Sequence, residues 1–153
     1  MQDLLSEPTS DASIAQALAQ THQRINQACA CAGRDHSAVR LLAVSKTKPL
    51  SAVNQAYQFG QRHFGENYLQ DALNKIEHCA FNDVHWHFIG AIQSNKTKTI
   101  AHHFDWVHTL DRLKIARRLS EQRPDNMPPL KVLIQVNISQ EKNKHGVALP
   151  ALD

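Results

Sequence analysis

Lysines at the ends of predicted strands are the residues of this sequence whose positions best suit covalent chemistry. Leu42, Val44 and Lys46 share one face of the first predicted strand, and Lys46 lies at its carboxyl end, where parallel (β/α) barrels build their sites. An amine at the rim of an apolar pocket, with Lys48 as a second cation nearby, favours the neutral, nucleophilic form that makes a Schiff base with an aldehyde. The alternative is that Lys46, Lys48 and Lys96 are ordinary solvated lysines in strand-to-helix loops, and the spacing alone leaves both interpretations open.

The ten histidines raise the question of a metal site. His85 and His87 alternate on one predicted strand face. Further candidates follow later in the chain, namely His102, His103 and His108. Zinc sites need three or four ligands in a defined geometry, and no carboxylate or cysteine stands at a recognisable spacing from these histidines. We therefore predict no metal site and interpret His87, with Gln93 and Asn95, as hydrogen-bonding or pocket-rim residues.

The composition is that of one globular domain. The chain has 153 residues, with 17 Lys plus Arg against 14 Asp plus Glu, a net charge of +3 and 42% apolar residues. This balance allows a buried core and excludes the disordered, collagen-like and membrane-spanning classes. The cysteines, Cys29, Cys31 and Cys79, are odd in number, which indicates free thiols in a reducing compartment rather than a disulfide framework.

The placement of charge argues against export and against nucleic-acid binding. The start of the chain, Met1-Gln-Asp-Leu-Leu-Ser-Glu, is acidic where a signal peptide would be basic, so we expect a cytoplasmic protein. The densest basic group lies on a predicted helix that also carries acidic residues, and it comprises Arg112, Lys114, Arg117 and Arg118. Such a group is typical of a solvated helix face. With aromatic residues at 6%, it lacks the interleaved aromatic side chains of a nucleic-acid surface.

Hydrophobic periodicity predicts alternating helices and strands. A leading amphipathic helix over about 13–32 ends at Gly33. The segment 39–45 is apolar on both faces, as a buried parallel strand is. Later strands are predicted at 63–65, 84–90, 105–110 and 130–138, and helices at 50–59, 67–79, 94–103 and 111–122.

This order of elements predicts an α/β fold with a parallel sheet, either open or closed into a (β/α) barrel of the TIM type. The last predicted strand has a mixed face (Lys131, Leu133, Gln135, Asn137) and an apolar face (Val132, Ile134, Val136, Ile138). A mixed face of this kind suits the lining of a barrel. At roughly 22 residues per unit, eight units need on the order of 220 residues, so about five of eight are present. We expect residues 1–153 to form one partial barrel domain, with βα units from about residue 41 and the C-terminal units missing.

Four blocks of sequence stand in order along the chain. They are Leu41-Leu-Ala-Val-Ser-Lys-Thr-Lys-Pro49, Phe64-Gly-Glu-Asn-Tyr68 with Gln70, His85-Trp-His-Phe-Ile-Gly90 with Gln93-Ser-Asn-Lys96, and Val132-Leu-Ile-Gln-Val-Asn-Ile138 followed by Lys144 and Gly146. Together these blocks closely resemble the pyridoxal phosphate homeostasis protein family, whose members bind pyridoxal phosphate. The resemblance runs from about residue 41 to the last residue.

The resemblance implies a fold like the barrel domain of alanine racemase, with pyridoxal 5'-phosphate as the cofactor and its aldehyde held by Lys46 as a Schiff base. Asn67 would lie close to the cofactor ring and hydrogen-bond its substituents, with capping of the following helix as the alternative. Lys144 matches a loop lysine of the family that approaches or receives the cofactor, with a mobile surface lysine as the alternative. In the family the phosphate is held by the last strands and their loops, beyond the five units counted here.

The function that the resemblance implies is that of a carrier without its own catalysis, which binds the reactive aldehyde and supplies it to pyridoxal phosphate-dependent apoenzymes. One alternative is a racemase or decarboxylase-like enzyme. Racemisation needs a second acid/base group on the opposite face of the cofactor, and the comparison with alanine racemase implies that this group comes from a separate β domain, for which we expect no room in these 153 residues. Another alternative is a non-binding remnant or interaction module, since the first and fifth strands would be left unpaired. We expect these edges to make the isolated chain poorly soluble or oligomeric.

Overall fold

The computed structural model describes residues 11–141 and 143–152. A leading helix, α1 (Asp11–Cys31), is followed by five strands, and a helix follows each of the first four. The strands are β1 (Ala43–Val44), β2 (His63–Glu66), β3 (His85–Phe88), β4 (Trp106–Leu110) and β5 (Lys131–Ile134). The helices between them are α2 (Leu50–Gln58), α3 (Leu69–His78), α4 (Thr97–His103) and α5 (Leu113–Gln122). The predicted alternation is confirmed, and the acidic start of the chain lies outside the described residues.

The strands form one parallel sheet in the order β1-β2-β3-β4-β5. Val44 is paired with Gly65, Gly65 with His87 and His87 with Trp106, so a single row of residues crosses four strands. Consecutive parallel strands need crossover connections, and the helices α2 to α5 supply them. The predicted α/β class with a parallel sheet is confirmed, and β1 and β5 are its edge strands.

The hydrophobic core lies between the sheet and the helices. Alternate strand residues point to this side, because successive side chains of a strand face opposite ways. Phe64 and Val107 are 1% and 0% exposed there. The helices contribute further buried apolar residues, among them Val53, Ala72, Ile100, Ile115 and Leu119.

The opposite face of the sheet, called the inner face here, is rich in polar and aromatic side chains. The rings of His63 and His85 stack with centroids 4.6 Å apart, and those of His87 and Trp106 stack at 5.4 Å. Lys131 Nζ lies 5.1 Å from the centroid of the Trp106 ring. On the other side of β5, Val132 is paired with the buried Val107, which agrees with the two faces predicted for this strand.

The two edge strands are shorter than predicted, because each has one neighbour to pair with. β1 keeps only residues 43–44 of the predicted 39–45, and β5 ends at Ile134. Beyond that point the chain folds back, and Val136 forms an isolated parallel bridge with Val147. Val132, Leu133 and Ile134 are 42%, 46% and 56% exposed, and an open cavity of about 470 Å³ lies between β5 and α5. The association expected from these edges stays a prediction.

Two simpler expectations concern thiols and membrane helices. Cys29, Cys31 and Cys79 are all free thiols, as predicted, and Cys29 is buried. Within the described part of the chain, no helix combines the length and the apolar character needed to cross a bilayer.

Candidate functional site

Lys46 is carried on a tight turn directly after β1. The backbone N–H of Lys48 donates to the Ser45 carbonyl over 3.0 Å, so Lys46 and Thr47 are the two central residues of the turn. Thr47 has a φ of +62°, a conformation that suits glycine at this position of a type II turn and is unfavourable for a β-branched residue. Lys46 itself is exposed. The residue is therefore presented to solvent by a strained turn, a feature that is often found at functional sites.

Ser45, the residue before Lys46, has all of its polar groups engaged. Its N–H donates to the Gly65 carbonyl over 3.0 Å, and its hydroxyl donates to Glu66 Oε1 over 2.5 Å. Its carbonyl accepts from the Lys48 N–H and also from Lys75 Nζ, which lies 2.8 Å away. A carbonyl oxygen has two lone pairs, so both are used. Ser45 is thus a fixed point at the base of the turn.

Lys75, from α3, is the centre of a network that we call the Lys75 cluster (Ser45, Glu66, Asp71 and Lys75), in which the Asp71 side chain is 41% exposed and the other three residues are buried. Its ammonium donates to Ser45 O, Glu66 Oε1 and Asp71 Oδ2, each over 2.8 Å, which satisfies all three of its N–H groups. The side chains of Lys75 and Glu66 are 3% and 0% exposed. The second carboxylate oxygen of Glu66 is buried and has no hydrogen-bond partner among the described residues.

The Lys75 cluster was not predicted from the sequence. Two signals were available: Glu66 has the same parity in β2 as the buried Phe64, and Lys75 follows Asp71 by four residues, the spacing of an intrahelical ion pair. Neither signal says that the side chains of Glu66 and Lys75 meet. That contact depends on how α3 packs against β1 and β2.

Asn67 directly follows β2, at the strand end next to the one that carries Lys46. Because Val44 is paired with Gly65, Lys46 and Asn67 both stand two residues beyond paired positions on adjacent strands. Asn67 Oδ1 is buried and lacks a hydrogen-bond partner within the described residues. The alternative role for Asn67 as the cap of α3 is wrong, since the helix begins at Leu69 with Tyr68 as its N-cap. A Cβ atom on Gly90 would collide with the backbone of Asn67, so glycine is required there for this close packing.

The other residues implied by the resemblance lie farther apart. Lys144 is exposed and follows β5, at the opposite edge of the sheet from Lys46. Its N–H donates to the Glu141 carbonyl over 3.1 Å, in the loop that folds back on β5. Gln93 and Asn95 are exposed in the segment before α4. The structure therefore brings Lys46 and Asn67 to neighbouring strand ends and keeps Lys144 apart from them.

Three histidines form a hydrogen-bonded chain across the inner face. His63 Nδ1 lies 2.9 Å from His87 Nε2, and His87 Nδ1 lies 2.9 Å from His108 Nε2. Burial is the main cause that lowers the pKa of His87 to about 3 and the pKa of His63 to about 4, and it also lowers the pKa of His108. His87 is thus a hydrogen-bonding residue as interpreted, but it lies in the body of the sheet and not at a pocket rim.

The remaining histidines do not join this chain into a metal centre. His102 and His103 are exposed on α4, away from the inner face. Across residues 11–141 and 143–152, no three His, Cys, Asp or Glu side chains are grouped so that they could hold a metal ion.

Known proteins match this chain over most of its length. The family model of the alanine racemase N-terminal domain matches residues 16–152. The chain is 58% identical over 142 residues to the pyridoxal phosphate homeostasis protein of Pseudomonas aeruginosa, covering 91% of this chain and 62% of that protein. It is 52% identical over 143 residues to the protein of the same name from Escherichia coli, covering 92% and 61%. The chain thus spans about six-tenths of the length of these curated relatives.

Solved structures show the same relationships. PipY of Synechococcus elongatus without PLP matches with 36% identity and a TM-score of 0.68, over 80% of this chain and 58% of that one. PipY with PLP bound matches with 39% identity and a TM-score of 0.59, over 71% and 47%. Alanine racemase from E. faecalis shares the fold at 17% identity, with a TM-score of 0.60 over 87% and 34%. The predicted alanine racemase-like fold and the resemblance to pyridoxal phosphate homeostasis proteins are confirmed, and the chain belongs to the alanine racemase N-terminal domain family.

Proposed function

We propose that this chain holds pyridoxal 5'-phosphate through a Schiff base on Lys46 and that its role is the homeostasis and supply of this cofactor. One observation carries the proposal: an exposed amine on a strained turn lies beside a buried, unsatisfied amide oxygen at neighbouring strand ends. Lys46 supplies the amine and Asn67 the amide. The names of the relatives and the PLP-bound state of PipY support the identity of the cofactor.

The residues at this edge of the sheet fit the cofactor. Pyridoxal phosphate supplies an aldehyde carbon that condenses with a primary amine and releases water. Lys46 would hold that carbon, and the free Asn67 Oδ1 would accept a hydrogen bond from a donor on the ring. Lys144 is exposed at the far edge of the sheet, apart from Lys46, and for this lysine we propose the role of approaching or receiving the cofactor rather than a contact made together with Lys46.

We propose a carrier without its own catalysis. The polar side chains beneath the turn, Ser45, Glu66 and Lys75, are hydrogen-bonded to one another inside the layer between sheet and helices. This arrangement supports a structural role for them and not proton transfer at the cofactor. We place the protein in the cytoplasm, where free thiols such as its three are stable. Steady turnover of an amino acid by the protein, dependent on Lys46, would overturn the proposal of a carrier.

Chemical trapping tests the anchor directly. The purified chain is incubated with pyridoxal phosphate, reduced with borohydride, and digested for peptide mass spectrometry. We expect a pyridoxyl adduct on Lys46 that is lost in Lys46→Ala and retained in Lys48→Ala, the matched control two residues away. Scattered labelling of many lysines, unchanged in Lys46→Ala, would contradict specific binding and favour a non-binding interaction module.

Supply is tested by transfer to a recipient. The loaded chain is mixed with the apoenzyme of a pyridoxal phosphate-dependent enzyme, and the recovery of its activity is followed against an equal concentration of free cofactor. We expect recovery with the loaded chain and none when the adduct has first been fixed by borohydride, because the reduced C–N bond cannot be hydrolysed to release the aldehyde. No recovery from the loaded chain would exclude a role in supply.

A further inference from the structure

We infer that Lys75 and Glu66 are positioning residues for Lys46: this buried pair clamps Ser45 and thereby holds the strained turn that presents the amine. The inference rests on the proposed function of Lys46 and adds two residues that lie on other elements, one in α3 and one in β2. Neither residue acts on the cofactor directly. Each acts through Ser45, the neighbour of Lys46 in the chain.

The clamp and the turn share one atom. The carbonyl oxygen of Ser45 accepts from Lys75 Nζ over 2.8 Å and from the Lys48 N–H over 3.0 Å, the bond that closes the turn. Glu66 Oε1 accepts from Lys75 and from the Ser45 hydroxyl, so the two charged side chains hold Ser45 at both its backbone and its side chain. The acceptor of the bond that closes the turn is therefore held in place by buried hydrogen bonds.

The strain at Thr47 shows why a clamp is needed. A threonine at φ +62° favours a different backbone conformation, and a relaxed turn would point Lys46 in another direction. The bonds from Lys75 and Glu66 hold Ser45, so they oppose any change of the turn that moves this residue. Glycine would adopt the same conformation without strain, and a turn with glycine at this position would depend less on the clamp.

Stability alone does not explain a buried ion pair at this position. Apolar side chains of similar volume often replace buried ion pairs without loss of stability. An apolar pair would fill the space between α3 and the sheet, but it would offer no hydrogen bond to the Ser45 carbonyl or hydroxyl. The hydrogen bonds to Ser45 are therefore what the charged pair adds.

The test replaces both charges at once, because removing Lys75 alone would leave Glu66 buried and unpaired, and removing Glu66 alone would leave Lys75 with Asp71 as its counter-ion. The main variant is Lys75→Met combined with Glu66→Leu, and the control is Asp83→Asn, which breaks an exposed ion pair at the other end of the sheet. We expect the apparent dissociation constant for pyridoxal phosphate trapped on Lys46 to rise about tenfold or more in the main variant, since small misplacements of a reacting group have effects of this size. In Asp83→Asn we expect no change beyond about twofold. Unchanged trapping in the main variant would overturn the inference.

Adding Thr47→Gly to the main variant separates positioning from folding. Glycine removes the strain, so trapping on Lys46 is expected to recover to within about threefold of the wild type. The midpoint of unfolding is measured for each variant, and trapping is compared under conditions in which all of them are folded. Failure of Thr47→Gly to restore trapping would show that the pair does not act through the turn.

A measurement without cofactor keeps the inference independent of the proposed function. Hydrogen exchange of the Lys48 amide, which closes the turn, is expected to speed up about tenfold in the main variant and to be unchanged in Asp83→Asn. If the wild-type chain is not labelled on Lys46, the proposed function fails, while the exchange rates still decide whether the clamp exists. Equal exchange rates in the wild type and the main variant would show that Lys75 and Glu66 do not hold the turn.

Discussion

Two ion pairs lie at opposite ends of the same sheet and have the same length. At the carboxyl end, Lys75 Nζ is 2.8 Å from Glu66 Oε1, and at the amino end Arg62 Nε is 2.8 Å from Asp83 Oδ2. The side chains of the first pair are 3% and 0% exposed, whereas those of the second are 36% and 54% exposed. The distance alone therefore says little about what each pair does.

The two ion pairs differ in how easily water can replace their partners, because their surroundings differ. Asp83 also accepts from the Tyr57 hydroxyl over 2.6 Å, and this hydrogen bond is the largest of the causes that lower the pKa of Asp83. Water can replace the partners of Asp83, because the side chains of Arg62 and Asp83 are open to solvent. At the carboxyl end the side chains of Lys75 and Glu66 are buried, so the loss of either partner leaves the other without ready access to solvent, and their bonds matter for Ser45 and for the turn. A substitution in an ion pair is therefore expected to cost more stability at the carboxyl end of the sheet, where we propose that the cofactor binds, than at the amino end.

The largest effect is expected for Lys75→Met. This change leaves Glu66 as a buried charge without a counter-ion, and the free energy of unfolding should fall by about 3–5 kcal/mol. Urea titration followed by circular dichroism measures it. Adding Glu66→Leu should restore most of the loss, and a single variant as stable as the wild type would mean that Glu66 is not charged or not buried.

A second effect at the carboxyl end is expected for Gly90→Ala. The new Cβ would meet the backbone of Asn67, which cannot turn away, and overpacking of this kind costs about 1–3 kcal/mol. Displacement of Asn67 should also weaken trapping of pyridoxal phosphate on Lys46. The control is Gly65→Ala, whose Cβ would lie 3.2 Å from Ile89 Cδ1 and 3.3 Å from Leu42 Cδ2, two side-chain ends that can shift. Equal losses of stability and of trapping in the two variants would show that the close packing of Gly90 against Asn67 has no special importance.

The histidine chain between the two ends predicts a dependence on pH. Burial lowers the pKa of His87 to about 3 and of His63 to about 4, whereas the unfolded chain takes up these protons below about pH 6.5. The unfolded state therefore binds more protons between these values, and the free energy of unfolding should fall as the pH is lowered from about 6.5 to about 4. Asp35 and Asp83, whose pKa values are lowered, contribute mainly below this window.

Urea titrations at about pH 7 and about pH 4.5 measure this dependence. In His87→Gln the difference between the two conditions should shrink, because one titrating group has been removed while a hydrogen-bonding side chain remains. A pH dependence as steep in the variant as in the wild type would show that folding does not lower the pKa of His87.

The smallest effect is expected for Asp83→Asn at the amino end. Exposed ion pairs contribute little, and asparagine can still hydrogen-bond to Tyr57 and Arg62. The unfolding midpoint in urea should move far less than in Lys75→Met. A loss comparable to that of Lys75→Met would abolish the contrast between the two ends.

The periodicity of the sequence was a good guide to elements whose environment is set locally. The amphipathic stripes of α1 and α3 and the inner strands β2 to β4 are placed within a few residues of their predicted bounds. The edge strands were predicted too long, because the length of a strand depends on its neighbours and not only on its own residues. For the same reason the alternative role of Asn67 as a helix cap was wrong, since the start of α3 depends on how the chain leaves β2.

The sequence by itself determined the parallel α/β class, the family, and Lys46 as the candidate anchor, because these depend on residue types, their spacing and four ordered motifs. Only the tertiary structure decided that Lys75 and Glu66 meet at Ser45, that Thr47 is held at φ +62° and that three histidines connect across the inner face. These contacts join residues from different strands and helices. Their energies depend on burial, which removes competing water and is a property of the packed chain rather than of any one segment.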